Sequence, residues 1–88
     1  MKLHGEYVVR QVADNIVVIP IGQAALQMNG TILLNDVSKV IWSCLEQGTD
    51  VEHIVTMVTD RFEVSKQEAE GDILEFLDKL RQLQLLEE

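Results

Sequence analysis

The chain holds one cysteine, Cys44, and one proline, Pro20, in 88 residues. A lone cysteine excludes an internal disulfide and suits a reducing compartment. Basic residues are scarce: seven Lys and Arg stand against fifteen Asp and Glu, for a net charge of −8. A surface of that sign repels phosphate backbones and anionic membranes, and it favours basic or mixed-charge partners. No apolar run is long enough to cross a bilayer. His4, Glu6 and Arg10 interrupt the stretch that a signal peptide would need apolar. The two histidines, His4 and His53, have no Cys, His or paired carboxylate at ligand spacing, so a metal site lacks its pattern. The glycines are isolated from one another, which excludes a phosphate-cradling loop. Cys44 falls on an apolar helical stripe and reads as a small hydrophobe rather than a nucleophile. These absences argue against an enzyme and against a bound cofactor. The expectation is a soluble, cytoplasmic protein.

What is present is an ordinary apolar fraction, 47%, with 25% charged residues, which describes one globular domain over residues 1–88. The organisation changes once, near Asn35, from β-rich to helical. Tyr7 to Val12 has the β-branched and aromatic bias of a strand, and Ala13 to Asn15 supplies turn chemistry. Ile16 to Ile21 is apolar almost throughout, which predicts a central strand or one covered on both faces. Pro20 donates no ladder hydrogen bond and should mark the end of that strand or a bulge. Asn29-Gly30 is a strong hairpin signal. With those two residues as the loop, Leu26, Met28, Thr31 and Leu33 share one face, and Ala25, Gln27, Ile32 and Leu34 share the other. Neither face is polar, so both are expected to be at least partly covered.

Three helices follow. Asn35 or Asp36 caps the first, whose stripe is Val37, Val40, Ile41, Cys44 and Leu45, and Gly48 is placed to end it in the left-handed conformation. Trp42 sits beside that stripe and reads as core. Thr49 and Glu52 have the spacing of a capping box for the second helix, which buries Val51, Ile54, Val55, Val58 and Phe62. Ser65 and Glu68 repeat the device for the third helix, to about Leu83, with a stripe of Ala69, Ile73, Phe76, Leu77, Leu80 and Leu83. Leu74 and Gly71 lie off that stripe. A small N-terminal antiparallel sheet followed by three short-looped helices is an α+β arrangement, and its leading architecture is a winged helix-turn-helix.

Domains of that architecture often read DNA with their last helix, which then needs a basic outer face. Here Lys66, Lys79 and Arg81 are outnumbered by Glu68, Glu70, Asp72, Glu75 and Asp78, so the helix is acidic. Electrostatics overrides the fold analogy, and DNA binding drops to a minority reading, third behind peptide binding and protein scaffolding. Peptide binding explains more. Thr31, Ile32, Leu33 and Leu34 carry no charge, and an uncharged edge strand carries an aggregation risk unless it is covered. A peptide from another chain can add there as an extra strand. The chain's own third helix, its N-terminus or a second copy can equally cover the edge, and composition leaves these open.

The residues that follow the strand then matter as a set. Leu34-Asn35 at the junction, Ile41-Trp42 and Gly48, then Asp72-Ile73, Phe76-Leu77, Leu80 and the closing Leu85-Leu86 resemble the family of coenzyme PQQ synthesis protein D (PqqD). That family is the prototype of the recognition elements for precursor peptides of ribosomally made, post-translationally modified natural products (RiPPs). The resemblance implies a non-catalytic peptide chaperone without a cofactor. It binds a leader peptide along the third sheet strand, against the last helix, and presents it to a modifying enzyme, often a radical S-adenosylmethionine (SAM) enzyme. Carried over, the peptide-binding residues are Thr31, Ile32, Leu33 and Leu34 with Asp72, Phe76, Leu77 and Leu80. The last three are core positions first. The expected partners are the precursor peptide and its maturase, with no nucleic acid and no membrane, and the protein is expected as a monomer or weak homodimer. Where the family's last turn often has Gly, Gln84 stands, which predicts a slightly longer final helix. The alternative is an acidic winged-helix scaffold acting by protein contact.

Overall fold

The computed structural model describes residues 1–21 and 31–88. Its elements run β1 (Lys2–Leu3), β2 (Glu6–Val12), β3 (Asn15–Ile21), β4 (Ile32–Leu34), α1 (Asp36–Gln47), α2 (Val51–Arg61), α3 (Lys66–Gln82) and β5 (Leu86–Glu87). Strands β2, β3 and β4 form an antiparallel sheet in that order, while β1 and β5 pair separately. The fold is therefore α+β, with the three-stranded antiparallel sheet ahead of three helices and the short β1–β5 pair formed from strands on either side of them. The expected hairpin loop at Asn29-Gly30 lies outside the described residues.

β3 is central, as its near-continuous apolar sequence predicts. It pairs with β2 from Glu6↔Ile21 to Val12↔Asn15, which leaves Ala13 and Asp14 as a two-residue turn. Pro20 is buried and sits one residue from the end of β3, opposite Tyr7. On its other side β3 pairs with β4 through Ile16↔Leu34, Val17↔Leu33 and Val18↔Ile32. Directly opposed residues share a face, so Val18, Ile32 and Leu34 point together into the core, each at most 2% exposed. The other face behaves differently from expectation: Leu33 is 62% exposed. Only one face of β4 is covered, because the helices lie on the Ile32–Leu34 side.

The core joins that face to the helix stripes. Ile41 and Leu45 of α1, Ile54 and Val58 of α2, and Ala69, Ile73, Leu77 and Leu80 of α3 are all essentially inaccessible. Val51 and Phe62 are half-buried at its margin, and Trp42 is buried, with Tyr7 against it edge-to-face at a centroid distance of 5.2 Å.

The caps explain where each helix begins. Asn35 caps α1 through a reciprocal pair: the Ser38 amide donates to Asn35 Oδ1 at 2.8 Å, and the Asn35 amide donates to Ser38 Oγ at 2.7 Å. The expected box at Thr49 and Glu52 does not form. Asp50 caps α2 instead, accepting from the His53 amide at 2.8 Å. Thr49 is held otherwise, since its amide donates to the Met1 carbonyl at 2.8 Å and its carbonyl accepts from the Met1 nitrogen at 2.9 Å. Ser65 caps α3 by accepting from the Glu68 amide at 3.1 Å. Gly48 follows α1 with φ 84° and ψ 132°, a positive φ as expected but outside the left-handed helical well.

The final helix stops at Gln82 and does not run on. Gln84 itself takes a positive φ of 58°. Its amide donates to the Arg81 carbonyl at 3.0 Å, and the Leu85 amide donates to the Leu80 carbonyl at 2.9 Å. That pair of bonds is a Schellman ending, with Leu85 and Leu80 both buried beneath it. The reversal sends the chain into β5, which pairs with β1 through Lys2↔Glu87 and Leu3↔Leu86. Gly5 passes so close to this turn that a Cβ there would meet the Gln84 carbonyl oxygen at 3.0 Å, and its φ is +82°.

Candidate functional site

Strand β4 leads directly into the Asn35 cap, so the start of α1 is tied to the end of the sheet. Three residues later Ser38 is locked by the cap, and one turn on Ile41 reaches the core. Across from them α3 presents Asp72, Glu75, Phe76, Asp78, Lys79 and Gln82. Between β4, the first turns of α1 and this face of α3 lies an open groove of about 520 Å³. Its lining also includes Ile32, Leu33, Asn35, Val37, Ser38 and Ile41.

The groove is amphipathic. Its apolar part comes from Ile32, Leu33, Val37, Ile41 and Phe76, and its α3 rim carries three carboxylates and one ammonium. Among the described residues, only one edge of β4 is paired, the one facing β3. A strand with one partner turns half of its backbone N–H and C=O groups away from that partner, where they are available to another chain. The arrangement offers backbone hydrogen bonding along an edge with apolar contact beside it. Among the described residues no cluster of His, Cys, Asp or Glu could hold a metal ion.

Of the residues expected to bind, Ile32, Leu33, Asp72 and Phe76 line the groove. Thr31 is exposed just before β4. Leu34 is 2% exposed, so it offers backbone rather than side chain. Leu77 and Leu80 are 0% exposed and lie in the core behind the groove, not on its wall. Helix geometry gives the reason: Leu77 and Leu80 continue the Ala69–Ile73 stripe, and the groove is lined by the adjacent one. Leu74 is 44% exposed and lies outside the groove. Sequence reasoning missed Asn35, Val37, Ser38, Ile41, Glu75, Asp78, Lys79 and Gln82 as groove-lining residues. The α3 members had a usable signal, since Asp72, Glu75, Phe76, Lys79 and Gln82 recur at three- and four-residue steps.

A second, smaller cavity of about 150 Å³ lies beside Cys44, His53, Met57 and Arg61. Burial pushes the Cys44 thiol above its ordinary pKa, and the Arg61 guanidinium opposes this only in part. The thiol is therefore held in its unreactive form.

The family model of coenzyme PQQ synthesis protein D (PqqD) matches residues 15–86. A solved structure described as "TbiB1 in Complex with the TbiA(beta) Leader Peptide" is similar at 31% identity and a TM-score of 0.76, covering 99% of this chain and 95% of that one. No curated protein sequence matches. With the model spanning most of the described sheet and all three helices, the chain belongs to the PqqD family.

Proposed function

We propose that this chain is a RiPP recognition element: it binds the leader segment of a ribosomally made precursor peptide and delivers it to a modifying enzyme. The observation that carries the reading is the β4 edge. It is paired on one side only among the described residues, it is uncharged, and it opens on a groove large enough for side chains of an added strand. A leader peptide that pairs with Thr31 to Leu34 gains backbone hydrogen bonds from the edge, and alternate side chains enter between Phe76 and the start of α1. The similar structure named above holds a leader peptide, which supports the same class of ligand here. Leu77 and Leu80 act in this reading by fixing α3 at its distance from β4. Asp72 sits on the groove rim and meets the peptide's polar flank.

The chemistry is assigned to the partner enzyme, for which a radical SAM maturase is the reading that the family supports. Residues 1–88 act as one recognition domain. The acidic surface of α3 counts against nucleic acid. Among the described residues no helix is long and apolar enough to cross a membrane.

The test is an amide NMR titration with synthetic leader peptides taken from short open reading frames beside the gene. Saturable shifts grouped on Thr31 to Leu34 and on the Asp72–Gln82 face of α3 are expected. Salt should change the affinity little, whereas phosphate-backbone binding weakens steeply as salt rises. Shifts that avoid β4 altogether would move the reading to an acidic scaffold acting by protein contact.

A further inference from the structure

The groove beside β4 is not evenly charged along its length. α3 follows it from Asp72 to Gln82, a rise of about 15 Å, or roughly four to five residues of extended chain. At the Gln82 end the groups answer one another. Asp78 accepts a hydrogen bond from the Gln82 side-chain amide at 3.2 Å, and Lys79 adds a positive charge beside it. At the other end stand Asp72 and Glu75, two exposed carboxylates.

Among the described residues nothing neutralises these two. The ion pairs there are His4–Glu87, Lys39–Asp36 and Arg81–Glu88, and none involves Asp72, Glu75 or Lys79. Residues 22–30 contain no charged side chain. Lys79 lies one turn from Glu75, a spacing that often pairs on a helix, yet the two do not pair here.

Carboxylates on an exposed helix face are ordinarily solvated and need no partner. What sets these apart is the apolar wall they adjoin. Phe76 is half-buried one turn after Asp72, and the Ile32–Leu33 edge lines the same groove. From Asp72 to Phe76 the helix rises about 6 Å. Residues two apart on a strand share a face and lie about 6.6 Å from one another. An apolar side chain packed on Phe76 therefore sets its groove-facing neighbour, two residues away, against Asp72 and Glu75.

Resting on the strand-addition reading above, we propose that the leader carries a lysine or arginine two residues from the apolar side chain that packs on Phe76, and that Asp72 and Glu75 select it. A neutral residue there takes water from both carboxylates and returns no partner, and an acidic one adds repulsion. A long cationic side chain suits the place, because its stem continues the apolar contact while its head reaches the rim. The pairing has a second consequence. Backbone bonds along an uncharged edge specify register weakly. A cation held at one end of the groove stops the leader from slipping along β4, and so fixes where the rest of the precursor emerges.

The test is an amide NMR titration with short acetylated and amidated threonine peptides that hold one leucine. They differ at a single position, two residues before the leucine in one set and two residues after it in the other, which is Lys, Gln or Glu. In one of the two sets the Lys peptide is expected to shift Thr31 to Leu34 with an affinity about threefold above the Gln peptide and about tenfold above the Glu peptide. Asp72→Asn/Glu75→Gln should erase that order. Glu70→Gln removes one negative charge from α3 outside the groove and should keep it, which separates local pairing from attraction by the net charge of −8. All three positions are exposed, and the spectra show whether each variant keeps its fold. Shifts on Thr31 to Leu34 with equal affinity for all three peptides, or a preference that survives Asp72→Asn/Glu75→Gln, would overturn the cation selection and leave strand addition standing. Shifts from no peptide, or shifts that avoid β4, would overturn both.

Discussion

The Leu85 amide reaches back to the Leu80 carbonyl at 2.9 Å, and Gln84 makes that bond possible by adopting φ 58°. A left-handed backbone at a non-glycine residue costs about 1 kcal/mol. Gln84→Gly should remove that cost and stabilise the fold by up to about 1 kcal/mol, less the extra freedom that glycine gives the unfolded chain. Urea unfolding is the measurement. A rise in midpoint with an unchanged slope is the expected outcome, and a fall would mean that the glutamine side chain contributes more than its backbone costs.

The Asn35–Ser38 pair ties the sheet to the helices, so it should matter twice. Asn35→Ala removes the acceptor for the Ser38 amide and should cost about 1 kcal/mol. Ser38→Ala removes the acceptor for the Asn35 amide, with a similar loss because the Ser38 side chain is buried. The double variant should cost less than the sum of the two singles, since each change breaks part of one network. Thermal or urea denaturation of the three variants checks this.

Much of the architecture was legible because it is periodic. Helix stripes such as Ile54–Val58 and Ile73–Leu77–Leu80 announce their own buried faces, and side-chain chemistry alone narrows the first cap to Asn35 or Asp36. The misreadings fall where a distant segment intervenes. Thr49 has good capping chemistry, but Met1 occupies its backbone, and nothing near Thr49 in sequence reports that. β1 and β5 are two residues each, too short for any period, and exist because the Gln84 turn brings the chain ends together. Gln84 was misread for a different reason: a residue that tolerates the left-handed well poorly still adopts it when two hydrogen bonds and Leu85 burial depend on it. The groove was half legible. The edge strand could be named from its lack of charge, whereas telling Phe76 from Leu77 required knowing which side of α3 the sheet occupies.

Gly71 sits inside α3, and a Cβ there would meet nothing within 4 Å. The backbone is ordinary, so glycine costs helix propensity without serving a turn. Gly71→Ala should stabilise by about 1 kcal/mol and leave leader affinity unchanged. Loss of affinity in a more stable protein would place an unseen contact at this position.

Phe76 and Leu74 separate groove from surface within one turn of helix. Phe76 is half-buried on the groove wall, and Leu74 is exposed outside it. Phe76→Ala should weaken leader-peptide affinity by about tenfold, a change of about 1.4 kcal/mol, while Leu74→Ala should leave it within about twofold. Isothermal titration with the same leader peptide measures both. Equal effects at the two positions would locate the peptide on the solvent face of α3 and away from β4.

Cys44 offers a check on the core that is independent of any ligand. Its thiol is buried, and desolvation raises its pKa above the value it has in the unfolded chain, with Arg61 lowering it only in part. The sign follows from linkage: a group whose folded pKa is raised favours the folded state below the unfolded pKa, and that contribution is lost as pH climbs through the folded pKa. Stability should therefore be insensitive to this thiol at neutral pH and decline above the ordinary thiol range. Alkylation by iodoacetamide should be much slower in the native protein than in urea and should accelerate with denaturant along the unfolding curve. Cys44→Ala should abolish the thiol-dependent part of the alkaline decline. Fast native alkylation at neutral pH would mean that the Cys44–Arg61 cavity opens to solvent and holds a reactive thiolate.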